Sequence, residues 1–274
     1  MSRNPLTDVR NHFGLTALPF TREVGVDKLW RPANINEALD ELRTCVEQRM
    51  SAAIIAPAGT GKTVMLRTLT ESLPEARYRV HYVKVTRLSA RDFCREVATA
   101  VGATPAGYYG SLVRKIQERA QALMDQEALR PIIILDEAHD MRPEVLAILR
   151  VLTNFEMDSK LVVSIILAGQ TDLKSLLRRD DLEAVSRRIS LYLNLRLLSR
   201  DESRDYVAHR LRIVGADDSG IFDETAIDAV HEMAQGNLRA TDRLALKAME
   251  MACRRGDPVV GVEHVAAARQ RVAP

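Results

Sequence analysis

The residues best suited to chemistry form one string, A-P-A-G-T-G-K-T, from Ala56 to Thr63. It matches the phosphate-binding loop G-x-x-x-x-G-K-[ST], except that Ala56 stands at the first glycine. Gly59 and Gly61 let the backbone curl, so that successive N–H groups turn inward toward phosphate. Lys62 can reach β- and γ-phosphate oxygens, and the Thr63 hydroxyl can hold Mg²⁺. Pro57, Ala58, Thr60 and Val64 complete the set that would line the phosphates. A chance Gly-Lys-Thr in a surface turn is the competing reading. It loses ground because the string lies between an apolar strand pattern and an amphipathic helix pattern.

The second string is I-I-I-L-D-E, Ile132 to Glu137. An apolar strand here delivers two acids at its carboxyl end, where open α/β sheets bind ligands. Asp136 would bind Mg²⁺, with Thr63 as the second protein group, and Glu137 would polarise the attacking water. A group-transfer kinase has no need of that second acid, so Glu137 favours hydrolysis. Asp136–His139 spells D-E-A-H, a helicase box, but helicases need two sheet domains around the nucleotide and this chain offers one. His139 therefore reads as a helix-start residue.

The elements that must position these residues follow from periodicity. Short apolar strands are expected at 52–56, 79–86, 131–135, 161–168 and 190–195. Helices are expected at 36–49, 61–73, 90–101, 111–125 and 143–155, with Gly102 closing the third. Residues 1–35 read as irregular, broken by Pro5, Gly14, Pro19, Gly25 and Pro32. After Ser199 only helices are expected, at 200–214, from Asp223 to Gly236, 238–254 and 262–271. Asp223 is a good N-cap there, with Phe222 and Ile227 as a hydrophobic staple. The fold class is thus α/β: a parallel sheet sandwiched by helices at 36–198, then a small all-helical domain at 199–274.

Composition excludes several classes. Hydrophobic residues at 46% and charged residues at 28% are ordinary globular values, against bulk disorder. No apolar run is long enough to span a bilayer, and the opening M-S-R-N-P-L has no signal core. The three cysteines lack metal spacing, so a cytoplasmic protein is expected. Aromatics at 4% argue against a surface that stacks many bases.

With these motifs in order, the chain resembles the AAA+ ATPases, and more narrowly the TniB/TnsC-type, Mu phage B-type and ExeA-type group. The resemblance begins at H-F-G-L-T-A-L-P-F, His12 to Phe20, and runs through both nucleotide strings to L-A-G-Q, Leu167 to Gln170. It continues with R-R-I, Arg187 to Ile189, Y-V-A-H-R-L, Tyr206 to Leu211, and G-N-L-R, Gly236 to Arg239. The resemblance implies ATP and Mg²⁺, a P-loop NTPase fold with a helical lid, and a residue at Gln170 that senses the γ-phosphate. It implies a lid arginine at Arg239, although Leu238 stands where proline is usual, which weakens the expected helix start. It also implies an arginine lent to the neighbouring subunit, best matched by Arg188, with Arg187 a rival. An N-terminal segment, 1–35, would contribute to the adenine pocket, with Phe20, Leu29 and Trp30 as candidates. Trp30 could equally be a core anchor.

The formal net charge of +2 hides a local excess. Residues 77–119 carry nine Lys/Arg against three acids, or +6, and the remainder sums to −4. In ring or helical assemblies of the resembled family these elements tend to face the axis, so repetition multiplies a modest patch. The candidate DNA contacts are Lys84, Arg87, Ser89, Arg91, Tyr109, Ser111, Arg114 and Lys115, with a solvated basic face as the alternative. No module for reading base sequence is visible. The function implied is an ATPase that oligomerises with ATP on double-stranded DNA, as ring or filament, and recruits or activates a DDE transposase. The alternatives are an ExeA-type ATPase of secretion or envelope assembly, and a nucleotide-dependent scaffold that hydrolyses little.

Overall fold

The computed structural model describes residues 5–216 and 220–271. Five strands form one parallel sheet: β1 Ser51–Ile55, β2 Tyr78–Lys84, β3 Arg130–Asp136, β4 Ser164–Gly169 and β5 Ile189–Asn194, in the order β2-β3-β4-β1-β5. The three central strands are buried on both faces, and for that reason their sequences read as unbroken apolar runs. Their side chains alternate between two cores. Ala53, Ile55, Ile133, Leu135, Ile165 and Leu167 face the helices Ala90–Val101 and Tyr109–Asp125. Ala52, Ile54, Ile132, Ile134, Ile166 and Ala168 face Ala33–Glu47 and Lys62–Ser72. The edge strands β2 and β5 keep exposed positions, so the expectation of strands apolar throughout holds only for the centre.

Register aligns the functional ends. Ile55 pairs with Gly169 on one side and with Asn194 on the other, and Lys84 pairs with Asp136. The residues after β1, β3 and β4 therefore emerge along one edge of the sheet, where the strand order reverses.

Several expectations shift. The span 143–155 is two short helices, Pro143–Leu146 and Ile148–Leu152. Ala147, at ψ −21°, tightens the turn between them, so that Val145, Leu146, Ile148, Leu149 and Leu152 all reach the core. The strand expected from 161 starts at Ser164, where pairing with Ile132 begins. Asp172–Leu177 and Glu183–Ser186 are helical and were not expected, being too short for a clear period.

Contacts divide the chain into two units: 33–57 with 62–195, which holds the sheet, and 1–32 with 58–61 and 196–274. In the second unit the N-terminal segment is not irregular, since Pro5–His12 is a helix. Val9, Leu15 and Phe20 pack into the same core as Val207, Val230, Ala245, Met249 and Val265. The helices Arg200–Arg212, Glu224–Ala234 and Leu238–Arg255 start at Ser199, Asp223 and Asn237, whose side chains accept from Glu202, Ala226 and Ala240 N–H. Arg210, buried, donates to Tyr206 Oη at 2.8 Å and to the Thr21 carbonyl at 2.6 Å. No helix among the described residues is long and apolar enough to cross a membrane.

Candidate nucleotide site

The loop after β1 begins at Ala56, whose N–H donates to the Gly169 carbonyl at 3.1 Å. Gly59 and Gly61 take φ of 78° and 100°, conformations that a side chain resists. Residues 58–61 belong to the same unit as the C-terminal helices, and there an added Cβ on Gly59 would lie 2.4 Å from Asn237 Oδ1. Asn237 Nδ2 donates to the Ala58 carbonyl at 2.6 Å, and Arg239 N–H donates to the Gly59 carbonyl at 3.3 Å. The helix does start at Leu238, with Asn237 as its side-chain cap, a correction to the expectation of a weakened start.

Lys62 opens the helix Lys62–Ser72 and is buried. Its Nζ donates to the carbonyls of Ala56 at 2.9 Å and Pro57 at 3.1 Å. The ammonium is thus held beside the loop it would serve. Thr63 and Val64 follow in the same helical turn, Thr63 exposed and Val64 half-buried.

Asp136 ends β3 and is buried. Its Oδ1 accepts from Glu137 N–H at 2.9 Å, and its Oδ2 accepts from Tyr82 Oη at 2.8 Å. Burial, followed by the bond to Asp136, pushes the Tyr82 hydroxyl above the usual phenol range. The phenol therefore stays a donor to that carboxylate. Tyr82 was not foreseen as a site residue. The signal available was its outward place on β2, two residues before Lys84, which pairs with Asp136.

Glu137 sits in the left-handed region, at φ 58° and ψ 34°. Its carboxylate lies 3.5 Å from His139 Nδ1. Gln170, just past β4, places its amide Nε2 2.8 Å from His139 Nε2, and its backbone N–H 3.3 Å from Nδ1. His139 lies in the short turn Ala138–Asp140 and is hydrogen-bonded to the strand-tip glutamine.

The donor set suits a nucleotide triphosphate with Mg²⁺. Mg²⁺ takes oxygen ligands, keeps several waters, and is commonly held by one or two carboxylates plus phosphates. Asp136 and the Thr63 hydroxyl supply such oxygens. No cluster of three His, Cys, Asp or Glu is found among the described residues, so a cage built from protein alone is not offered.

The remaining candidates lie elsewhere. Arg188 Nη2 donates to Asp158 Oδ2 at 2.6 Å, which holds the Asp158 carboxyl below its ordinary range. Asp158 closes a run of three left-handed residues, Glu156, Met157 and Asp158, at φ 49°, 56° and 68°. Arg188 also borders a cavity of about 410 Å³ with Gln117, Arg150, Val151, Asn154 and Asp158. Arg187 pairs with Glu183 at 2.6 Å. Arg239 is exposed. Phe20 is buried edge-on to Phe222, with ring centroids 6.2 Å apart, and Trp30 packs on Tyr206 at 5.5 Å. Leu29 is half-buried.

Within the basic segment, Lys84, Arg87 and Arg91 are exposed and make no ion pair among the described residues. Three others are engaged. Ser89 caps Ala90–Val101 and bonds Asp92 at 2.6 Å, Lys115 Nζ donates to the Ala106 carbonyl at 2.9 Å, and Arg114 lies 3.9 Å from Glu118. Tyr109 is exposed and Ser111 half-buried in the first turn of Tyr109–Asp125.

A glycine-rich loop, two acids and a polar strand tip gather at one end of this five-stranded sheet. Residues 43–177 match the AAA domain. The fold is α/β, a five-stranded parallel sheet with helices, and it is shared with the solved structures below. Among curated proteins, the chain is 28% identical over 246 residues to the general secretion pathway protein A of Aeromonas hydrophila, covering 89% of this chain and 45% of that protein. It is 23% identical to the replication factor C small subunit of Aeropyrum pernix, covering 78% and 60%. The chain thus spans about half the length of these relatives. Among solved structures, Cdc6p from Pyrobaculum aerophilum superposes with a TM-score of 0.74 at 18% identity, over 92% of this chain and 70% of that one. The Aeropyrum pernix ORC1 protein in complex with DNA gives 0.66 at 20%, over 92% and 68%.

Proposed function

We propose that the protein is a Mg²⁺-dependent ATPase that assembles on duplex DNA when ATP is bound, and there recruits or activates a DDE transposase. One observation carries the ATPase reading: Lys62, Asp136, Glu137 and Gln170 emerge from adjacent strands at one edge of the sheet. In this reading Lys62 binds the β- and γ-phosphates. Thr63 and Asp136 would hold Mg²⁺, which when bound would neutralise charge on the phosphates. Glu137 takes the proton of the attacking water, and Gln170 orients that water. Arg239 from the lid and Arg188 from a neighbouring subunit stabilise charge on the transferred group. Phe20, Leu29 and Trp30 remain the adenine-side candidates, and the sequence is read as cytoplasmic.

The DNA part is supported by Lys84, Arg87 and Arg91, three exposed cations with no partner among the described residues, and by one structural neighbour, the Aeropyrum pernix ORC1 protein, solved in complex with DNA. A second reading, an ATPase serving a secretion pathway, is favoured by the 28% identity to the Aeromonas hydrophila protein. Salt-titrated binding of duplex DNA separates them. DNA binding should require ATP and weaken with salt, and Arg87→Ala/Arg91→Ala should lower the log–log salt slope by about two. Binding indifferent to salt, or to both substitutions, rejects the DNA role and leaves the secretion reading.

A further inference from the structure

We infer that Asn237 is a positioning residue of the loop after β1: one end of its side-chain amide caps a helix, and the other end holds the loop so that its N–H groups face phosphate. The inference rests on the nucleotide-binding part of the reading above. Residues Ala58–Gly61 of the loop belong to the same unit as the helix Leu238–Arg255. Asn237 Oδ1 accepts from Ala240 N–H at 3.1 Å, and Nδ2 donates to the Ala58 carbonyl at 2.6 Å. The next loop carbonyl, of Gly59, accepts from Arg239 N–H at 3.3 Å. The amide has one workable orientation, because a backbone N–H only donates and a carbonyl only accepts.

Two glycines let the amide come this close. An added Cβ on Gly59 would lie 2.8 Å from Asn237 Nδ2 and 2.9 Å from its Cγ. No side chain fits there, so Gly59 serves this contact as well as the curl at φ 78°. Gly236, at φ 73°, turns the chain into Asn237, and its carbonyl accepts from Leu198 N–H at 3.0 Å. A Cβ on Gly236 would lie 2.8 Å from Leu198 N. Asn237 therefore leaves from a turn seated against backbone.

Holding these carbonyls orients the opposite side of each peptide. The peptide bond is planar and trans, so its C=O and N–H point in opposite directions. With the Ala58 carbonyl on Asn237, the Gly59 N–H turns away from the helix. With the Gly59 carbonyl on Arg239 N–H, the Thr60 N–H does the same. Successive N–H groups turned to one side of a curled loop are what an anion-binding concavity requires. Peptides left to rotate would have to be ordered on binding, which lowers affinity. In the reading above, these N–H groups meet the diphosphate portion that ADP and ATP share, whereas Gln170 and Arg239 serve the transferred group.

The test separates the two ends of the amide. Serine caps a helix about as well as asparagine but is too short to reach the Ala58 carbonyl. With the full chain, and fluorescent ADP and ATP analogues as probes, Asn237→Ser should raise Kd about three- to tenfold for both, with the ratio of the two unchanged. Asn237→Ala also removes the cap. It should melt below Asn237→Ser while raising Kd no further. Unchanged Kd in Asn237→Ser overturns the inference. So does a loss of affinity that appears only in Asn237→Ala and follows its melting temperature, which would leave Asn237 a cap alone. A loss for ATP with ADP spared overturns it too, since the loop N–H groups meet phosphates that both nucleotides carry. Absence of ADP and ATP binding by the parent protein instead overturns the nucleotide reading on which the inference rests.

Discussion

Single side chains carry the chemistry, and their present partners say what must change. Lys62 is held by two loop carbonyls and is buried, so in the proposed function it would bind phosphate without a large search of rotamers. Lys62→Ala should weaken nucleotide binding by about tenfold to a hundredfold in a fluorescence titration. Glu137→Gln should keep that binding and lower kcat by about a hundredfold or more, trapping ATP-bound assemblies visible by light scattering. Arg188 is held differently, by the carboxylate of Asp158 at the end of a left-handed loop. A residue meant to reach a neighbouring subunit must first leave that carboxylate. Asp158→Ala should therefore lower the protein concentration for half-maximal ATPase by about two- to fivefold, since exposed pairs are individually weak. An unchanged concentration dependence would mean that Arg188 is not the residue in demand.

At the scale of elements, strand ends and helix caps do the positioning. The central strands bury both faces, and this fixes the sheet rigidly enough to align Ala56, Asp136 and Gln170 within hydrogen-bonding range of their neighbours. In the helical unit, Asp228 on Glu224–Ala234 receives both Arg200 and Arg204 from Arg200–Arg212. Those bonds hold its carboxyl well below the ordinary range. A depressed carboxylate contributes stability above its unfolded pKa of about 3.9 and loses that contribution as pH falls through the folded value. Asp228→Asn should then lower the melting temperature at pH 7, with the gap to the parent protein closing below about pH 4. A gap independent of pH would assign the loss to packing.

At the scale of the whole molecule, Arg188 is bonded to Asp158 on its own chain. The proposal is that assembly completes the site. Arg188→Ala and Glu137→Gln should each be nearly inactive alone, and mixing them should restore part of the turnover. A mixed interface joins an intact Glu137 from one subunit to an intact Arg188 from the other. No recovery on mixing would move the trans role to Arg187, which now pairs with Glu183, or outside this pair. Charge is organised at this scale too. The three unpaired cations at 84–91 contribute little singly, and only repetition along an assembly would give them a steep salt dependence.

The sequence by itself determined the glycine-bearing loop after β1, the two acids at the end of β3, the sheet class and the run of helices toward the C-terminus. Those are short-range properties: a glycine pattern, an apolar run of about five, a cap three residues from its N–H. It left the N-terminal helix and the short helices after β3 and β4 unread, because segments of four to eight residues show no clear period. It read His139 as a helix-start residue and stopped there; the residue lies in the middle of the short turn Ala138–Asp140. Only the tertiary structure could pair His139 with Gln170, Tyr82 with Asp136, Arg188 with Asp158 and Asn237 with Ala58. Each pair joins residues brought together by long-range packing, most of all by the strand order β2-β3-β4-β1-β5. A single sequence records which residues are apolar. It does not record which strand lies beside which, and the partners at the strand ends depend on that.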